Sequence, residues 1–139
     1  METITKHLIE AKYSMDWGLR DIADTEEEAK AKIKIIDKDW PFKVEYRTKQ
    51  IEIPKDNQDR FEYAIHYIDQ NEHIIIDDYD LYSTENKFSL HIPWGDWKHS
   101  HGRTDYIMSL FGFSSLYESI TEEDGSDTYS AYHYYKSTY

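Results

Sequence analysis

Hydrophobic and polar positions change rhythm several times along the chain, and each rhythm predicts an element. Residues 5–14 and 17–23 read as two short strands turning at Met15-Asp16, with a helix over Leu8 to Tyr13 as the alternative. Thr25-Glu26-Glu27-Glu28 is a capping box, in which the threonine hydroxyl accepts from the backbone and Glu28 reaches back. Ala29, Ile33 and Ile36 follow at helical spacing, with Lys30, Lys32 and Lys34 turned outward. The three glutamates suit the positive end of a helix, and Lys34 and Lys38 suit the negative end. A helix over about 25–38 is predicted. It stops before Trp40-Pro41, because proline disfavours helical backbone in the residue preceding it.

Phe42, Val44 and Tyr46 then alternate with Lys43, Glu45 and Arg47, the period of a half-buried strand. Ile51 and Ile53 continue in the opposite phase, which predicts a bulge near Lys49-Gln50. Phe61, Ala64, Ile65 and Ile68 form a second helical stripe, capped by Asn57 or Asp59. Ile74-Ile75-Ile76 and Phe88, Leu90, Ile92 predict two strands joined through Ser83-Thr84-Glu85-Asn86. Tyr106, Ile107, Leu110 and Phe111 suggest a third helix with Gly112 as its stop. Phe113–Thr121 and Thr128–Lys136 close the pattern as a hairpin. The order is β-β-α-β-α-β-β-α-β-β. With so few βαβ units, the expected fold is α+β, about three helices packed on a mainly antiparallel sheet. No linker rich in Gly, Pro or Ser interrupts it, so one domain over 1–139 is expected.

Composition narrows the function classes. The chain has 139 residues, with 16 Lys and Arg against 28 Asp and Glu, a net charge of −12. Its 4 Trp, 13 Tyr and 5 Phe argue against disorder, since disordered acidic chains are poor in aromatics. No cysteine is present, which excludes disulfides, thiolate metal sites and cysteine nucleophiles. No apolar run approaches the roughly 18 residues of a membrane span, and Met1-Glu2-Thr3 does not open a signal peptide, so a cytoplasmic location is expected. Residues 71–139 hold 4 basic and 12 acidic groups together with nine tyrosines. That field disfavours direct binding of nucleic acid.

The densest polar run is Trp94-Gly95-Asp96-Trp97-Lys98-His99-Ser100-His101-Gly102-Arg103-Thr104-Asp105. On an extended segment His99 and His101 would point to one side, and with Asp96 and Asp105 they could hold a divalent metal. Arg103 could hold an anionic substrate, and His133, His91 or His73 could join if the fold brings them in. The same residues also make an ordinary loop leading into the third helix. Two acidic groups, Asp77-Asp78-Tyr79-Asp80 and the Glu122, Glu123, Asp124, Asp127 loop, offer oxygen ligands but match no calcium-site spacing. No phosphate loop, nucleophile elbow or His-Glu-x-x-His helix occurs.

Two functions are consistent with these residues. The first is a non-catalytic acidic module that binds a protein with a basic surface, such as a nuclease or other nucleic-acid-handling protein, and needs no cofactor. Its surface would comprise Asp77, Asp78, Asp80, Glu122, Glu123, Asp124 and Asp127 with Tyr132, Tyr134, Trp94 and Trp97. In size, charge and lack of motifs such a chain is similar to the small acidic inhibitors that phages and mobile elements direct against restriction or CRISPR nucleases. The second is a small metal-dependent hydrolase or ligand-binding domain centred on His99, His101, Asp96 and Asp105. A third and weaker possibility is nucleic-acid contact through Lys43, Arg47 and Lys49 with Lys30, Lys34 and Lys38.

Overall fold

The computed structural model describes residues 2–13, 15–81, 87–122 and 128–139, and its elements follow the predicted order. Strands β1 (Thr3–Tyr13) and β2 (Asp16–Ala23), helix α1 (Glu26–Asp39) and strand β3 (Glu45–Pro54) belong to one compact unit, Met1–Lys55. Helix α2 (Asn57–Asn71), strands β4 (Asp78–Asp80) and β5 (Lys87–Asp96), helix α3 (Gly102–Leu110) and strands β6 (Phe113–Glu122) and β7 (Thr128–Ser137) belong to a second, Asp56–Tyr139. Every strand pair is antiparallel, and the fold is α+β. Among the described residues no helix is long and apolar enough to cross a membrane.

The first unit is a three-stranded sheet in the order β2-β1-β3. Its central strand buries Leu8, Ile9 and Ala11, and Ile9 packs with Ala23 against Ala29 of α1. Pairing on both sides satisfies the β1 backbone, which removes the alternative of a helix over Leu8 to Tyr13. The capping box forms: the Thr25 hydroxyl accepts from the Glu28 N–H at 3.1 Å. Glu28 reaches one residue further back than expected, accepting from the Asp24 N–H at 3.4 Å. Trp40 leaves the helix in extended geometry ahead of Pro41. Replacing Thr25 with alanine should lower stability by about 1 kcal/mol, read as a reduced melting temperature.

The predicted bulge near Lys49-Gln50 does not form. β3 pairs with β1 without a break from Thr3↔Pro54 to Lys12↔Glu45. Simple alternation already sends Tyr46 and Ile53 to opposite faces, so the phase change needs no extra residue. The bulge of this unit lies in the β1–β2 pair at Ile9/Glu10 instead. Phe42 stands outside the strand and is 72% exposed.

In the second unit the sheet order is β4-β5-β7-β6. The α2 stripe buries Phe61, Ala64, Ile65 and Ile68 as predicted, with Phe61 in ring contact with Phe88, Phe113 and Tyr135. The α2 cap is Asp56, not Asn57 or Asp59; its carboxylate accepts from the Asp59 N–H at 3.1 Å. Asn57 is thereby left to accept from Arg60 and Ser137. The strand expected at Ile74–Ile76 forms instead at Asp78–Asp80, opposite Ser89–His91. Three successive isoleucines cannot share one face: Ile74 is buried and Ile75 is 65% exposed. α3 ends where Gly112 takes a left-handed φ of 89°, the stop predicted for it.

Candidate functional site

The four-stranded sheet buries one face and leaves the other open. Phe88, Leu90 and Ile92 of β5 and Ala131, His133 and Tyr135 of β7 point inward. The intervening residues fall into two rows across the open face. Asp78, His91, Tyr132 and Ser119 make one row, and Asp80, Ser89, Tyr134 and Tyr117 make the next. His91 stacks on Tyr132 with centroids 4.4 Å apart, and Tyr117 stacks on Tyr134 at 4.5 Å. The Lys87 ammonium sits 4.7 Å from both Tyr117 and Tyr134 ring centres. Asp77, just outside β4, approaches His91 Nδ1 at 2.6 Å. Tyr117 and Tyr132 are about half exposed, so the platform faces solvent. The unit around it contains five Lys and Arg against sixteen Asp and Glu, which gives it −11 of the chain's −12.

Asp77, Asp78, Asp80, Tyr132 and Tyr134 of the predicted binding surface are thus neighbours on one face with Tyr117, and His91 and Lys87 are companions that the sequence pattern did not point to. Glu123, Asp124 and Asp127 lie outside the described residues, as do the side chains of Trp94, Asp96, Trp97 and Glu122.

The opposite face holds a second cluster. Residues 97–101 are one π-helical turn running into α3, not an extended segment. Two residues apart on a helical turn point to nearly opposite sides, so His99 is exposed while His101 is buried. His101 meets His133 of β7, Nδ1 to Nε2 at 2.8 Å. On the other side of that ring, His133 Nδ1 is 3.2 Å from Asp105 Oδ1 and 3.6 Å from Glu118 Oε2. The Tyr135 hydroxyl donates to the same Asp105 oxygen at 2.5 Å. A carboxylate only accepts, so His133 carries its proton on Nδ1 and its Nε2 accepts from His101.

Glu118 reaches this cluster through a β-bulge. Between Ser115 and Tyr117 the β6–β7 register shifts by one residue. Unshifted, Tyr117 would face His133; the shift sends Tyr117 to the open face and sets Glu118 against the imidazole. Burial works to raise the Asp105 pKa, but hydrogen bonds from His133 and Tyr135 outweigh it and hold the carboxyl below its ordinary value. Glu118 is held above its ordinary value by burial, with His133 opposing and the Asp105 charge adding. Burial and then the Asp105 charge push the Tyr135 phenol well above 10.0.

Of the residues predicted for a metal centre, the structure brings together His101, Asp105 and, of the three histidines that could join, His133, and it leaves His99 apart. Arg103 is engaged by Glu72 at 2.9 Å, and His91 belongs to the open face. In the first unit, Arg47 pairs with the buried Glu10 at 2.9 Å and lies over the Trp17 ring, so it serves that unit's own packing. Compared with known proteins, the chain matches no family model, no curated protein sequence and no solved structure.

Proposed function

We infer that the second unit is a non-catalytic binding module that docks a protein with a basic surface on the open face of its sheet. The observation that carries this reading is the pair of rows that set Asp78 and Asp80 beside stacked tyrosines. Tyrosine supplies large contact area at low entropic cost, and carboxylates at its edge give orientation and speed. A net −11 on this unit steers a cationic partner and repels nucleic acid, although stacked rings beside Lys87 are also a platform on which bases can stack. The partner class that fits is a nucleic-acid-handling protein whose basic surface the carboxylates would occupy, as phage and mobile-element inhibitors do.

The test is capture from nuclease-treated host lysate on the wild-type chain and on two variants. A single stoichiometric partner released by rising salt is expected. Tyr132→Ala/Tyr134→Ala should weaken that complex roughly 30-fold through loss of contact area. Asp77→Asn/Asp78→Asn/Asp80→Asn should slow association about tenfold at low salt and flatten its salt dependence. Equal retention by both variants would sink the reading, and recovery of RNA or DNA in place of protein would replace it.

A further inference from the structure

The geometry points to a divalent transition-metal site, of the zinc class, built from His101 Nδ1, His133 Nε2 and the Glu118 carboxylate, with Asp105 orienting His133 from behind. It is independent of the open face, since Glu118 and His133 are paired on the other face of the sheet and His101 meets His133 there.

Three observations carry it. First, ligand atoms of His101, Glu118 and His133 all lie within 4.8 Å of one another, and both imidazoles are almost wholly buried. Two nitrogens bound tetrahedrally to zinc stand roughly 3.3 Å apart. The His101–His133 pair, at 2.8 Å, has to open by only about half an ångström to admit the ion. Second, the contact between His133 Nδ1 and Asp105 is the arrangement that fixes the tautomer and orientation of metal-bound histidines, leaving Nε2 for the ion. Tyr135 in turn anchors Asp105. Third, two carboxylates converge on one imidazole N–H. Among the described residues neither Asp105 nor Glu118 has a Lys or Arg within ion-pair distance. A divalent cation beside them supplies the charge that the surrounding groups lack.

Glu118 is one-third exposed, and its Oε2 lies 3.6 Å from His133 Nδ1, so the carboxylate has to swing around the His133 ring toward Nε2 to reach the ion. His101 binds through Nδ1 by moving its proton to Nε2. The donor set is nitrogen and oxygen only, which suits zinc, cobalt, nickel or iron. Three protein ligands leave one position for solvent.

The experiment uses untagged full-length chain, stripped with chelator and titrated with Zn²⁺ in a calorimeter and with Co²⁺ by visible absorption. One Zn²⁺ per chain is expected, with Co²⁺ bands of tetrahedral strength. At a hundredfold excess over the dissociation constant, Zn²⁺ should raise the melting temperature by more than about 5 °C. Glu118→Gln, at a partly exposed position that tolerates change, should weaken Zn²⁺ binding at least tenfold, and Asp105→Asn by about 10 to 100-fold. His99→Ala should bind as the wild type does. No saturable binding of either ion to the wild-type chain would overturn the site, and so would equal affinity in Glu118→Gln. Weakening by His99→Ala alone would overturn it as well, by moving the ligands elsewhere.

Discussion

Replacing Arg60 with alanine should destabilise the second unit by about 3–5 kcal/mol, an effect on the scale of emptying an aromatic core position. Arg60 is fully buried, and its side chain ties distant parts of that unit together. Nε donates to the Phe111 carbonyl at 2.9 Å, past the end of α3. Nη2 donates to Asn57 at 2.9 Å and to the Ser137 hydroxyl at 2.7 Å. The guanidinium plane also lies 4.8 Å from the Phe113 ring centre and 4.2 Å from that of Tyr139. Burial lowers its pKa, with Tyr139 and Asp56 opposing, and a guanidinium stays charged through the physiological range all the same. Alanine removes packing volume and takes the Arg60 donor from the buried Phe111 carbonyl, leaving Asn57 Oδ1 with the Ser137 hydroxyl and that hydroxyl with the Tyr139 N–H.

Methionine separates these contributions. Arg60→Met keeps most of the volume, so it should fall between alanine and wild type. Lysine should not rescue, because one ammonium cannot reproduce the fork that engages Phe111, Asn57 and Ser137 together. Urea unfolding gives the readout, with the alanine midpoint lowered by roughly 2 to 3 M. A shift of less than a quarter of that size would show the network to be dispensable.

The second large effect belongs to Asp105. Asp105→Ala should lower stability by about 3–5 kcal/mol at neutral pH, since it strands the buried Tyr135 hydroxyl and leaves the His133 N–H only Glu118, at 3.6 Å. Asp105→Asn retains an acceptor and should lose less. The pH dependence then identifies the carboxylate. Its folded pKa lies below the ordinary 3.8, so its contribution is complete above that value and disappears as pH falls through the depressed one. Measured in chelator, the gap between wild type and Asp105→Asn should be constant above about pH 5 and close below about pH 4. Glu118 acts with the opposite sign. Its raised pKa means that stability declines as pH rises from 4.5 through the folded value, and Glu118→Gln should remove that decline. An Asp105→Asn gap that persisted at low pH would assign the effect to shape and not to charge.

Which features could be read from sequence follows from how local their causes are. The Thr25 box, the Ala29–Ile33–Ile36 face and the Phe61–Ile68 stripe are encoded within one or two helical turns, and all of them form. The alternation of Phe88, Leu90 and Ile92 likewise needs no partner to be visible. β4 was misplaced because its position depends on which atoms of β5 remain unpaired, and Ile74–Ile76 carry no such information. The chemistry was half legible. His101 and Asp105 stood out because they share one turn of sequence, whereas His133 and Glu118 arrive on separate strands. Glu118 was invisible for a further reason: a one-residue register shift decides which side of β6 it occupies, and no pattern in Ser114–Ser119 announces that shift. The pairing of His99 with His101 rested on extended backbone, and the π-helical turn undid it.

The place of β7 in its sheet also sets a schedule for synthesis. β7 lies between β5 and β6, yet it is the last strand of its unit to be made. Among the described strands, until residues 128–137 exist, β5 has only the three-residue β4 beside it, β6 has no partner, and Arg60 lacks Ser137. The first unit has no such wait, since β3 is complete at Pro54 and pairs at once with a strand already made. On a ribosome adding about 5–20 residues per second, the first unit can therefore close several seconds before the second. During that interval Phe61, Phe88 and Phe113 are exposed to whatever chaperones the nascent chain meets. A premature stop between residues 55 and 128 would release a chain with one finished sheet and one that cannot assemble.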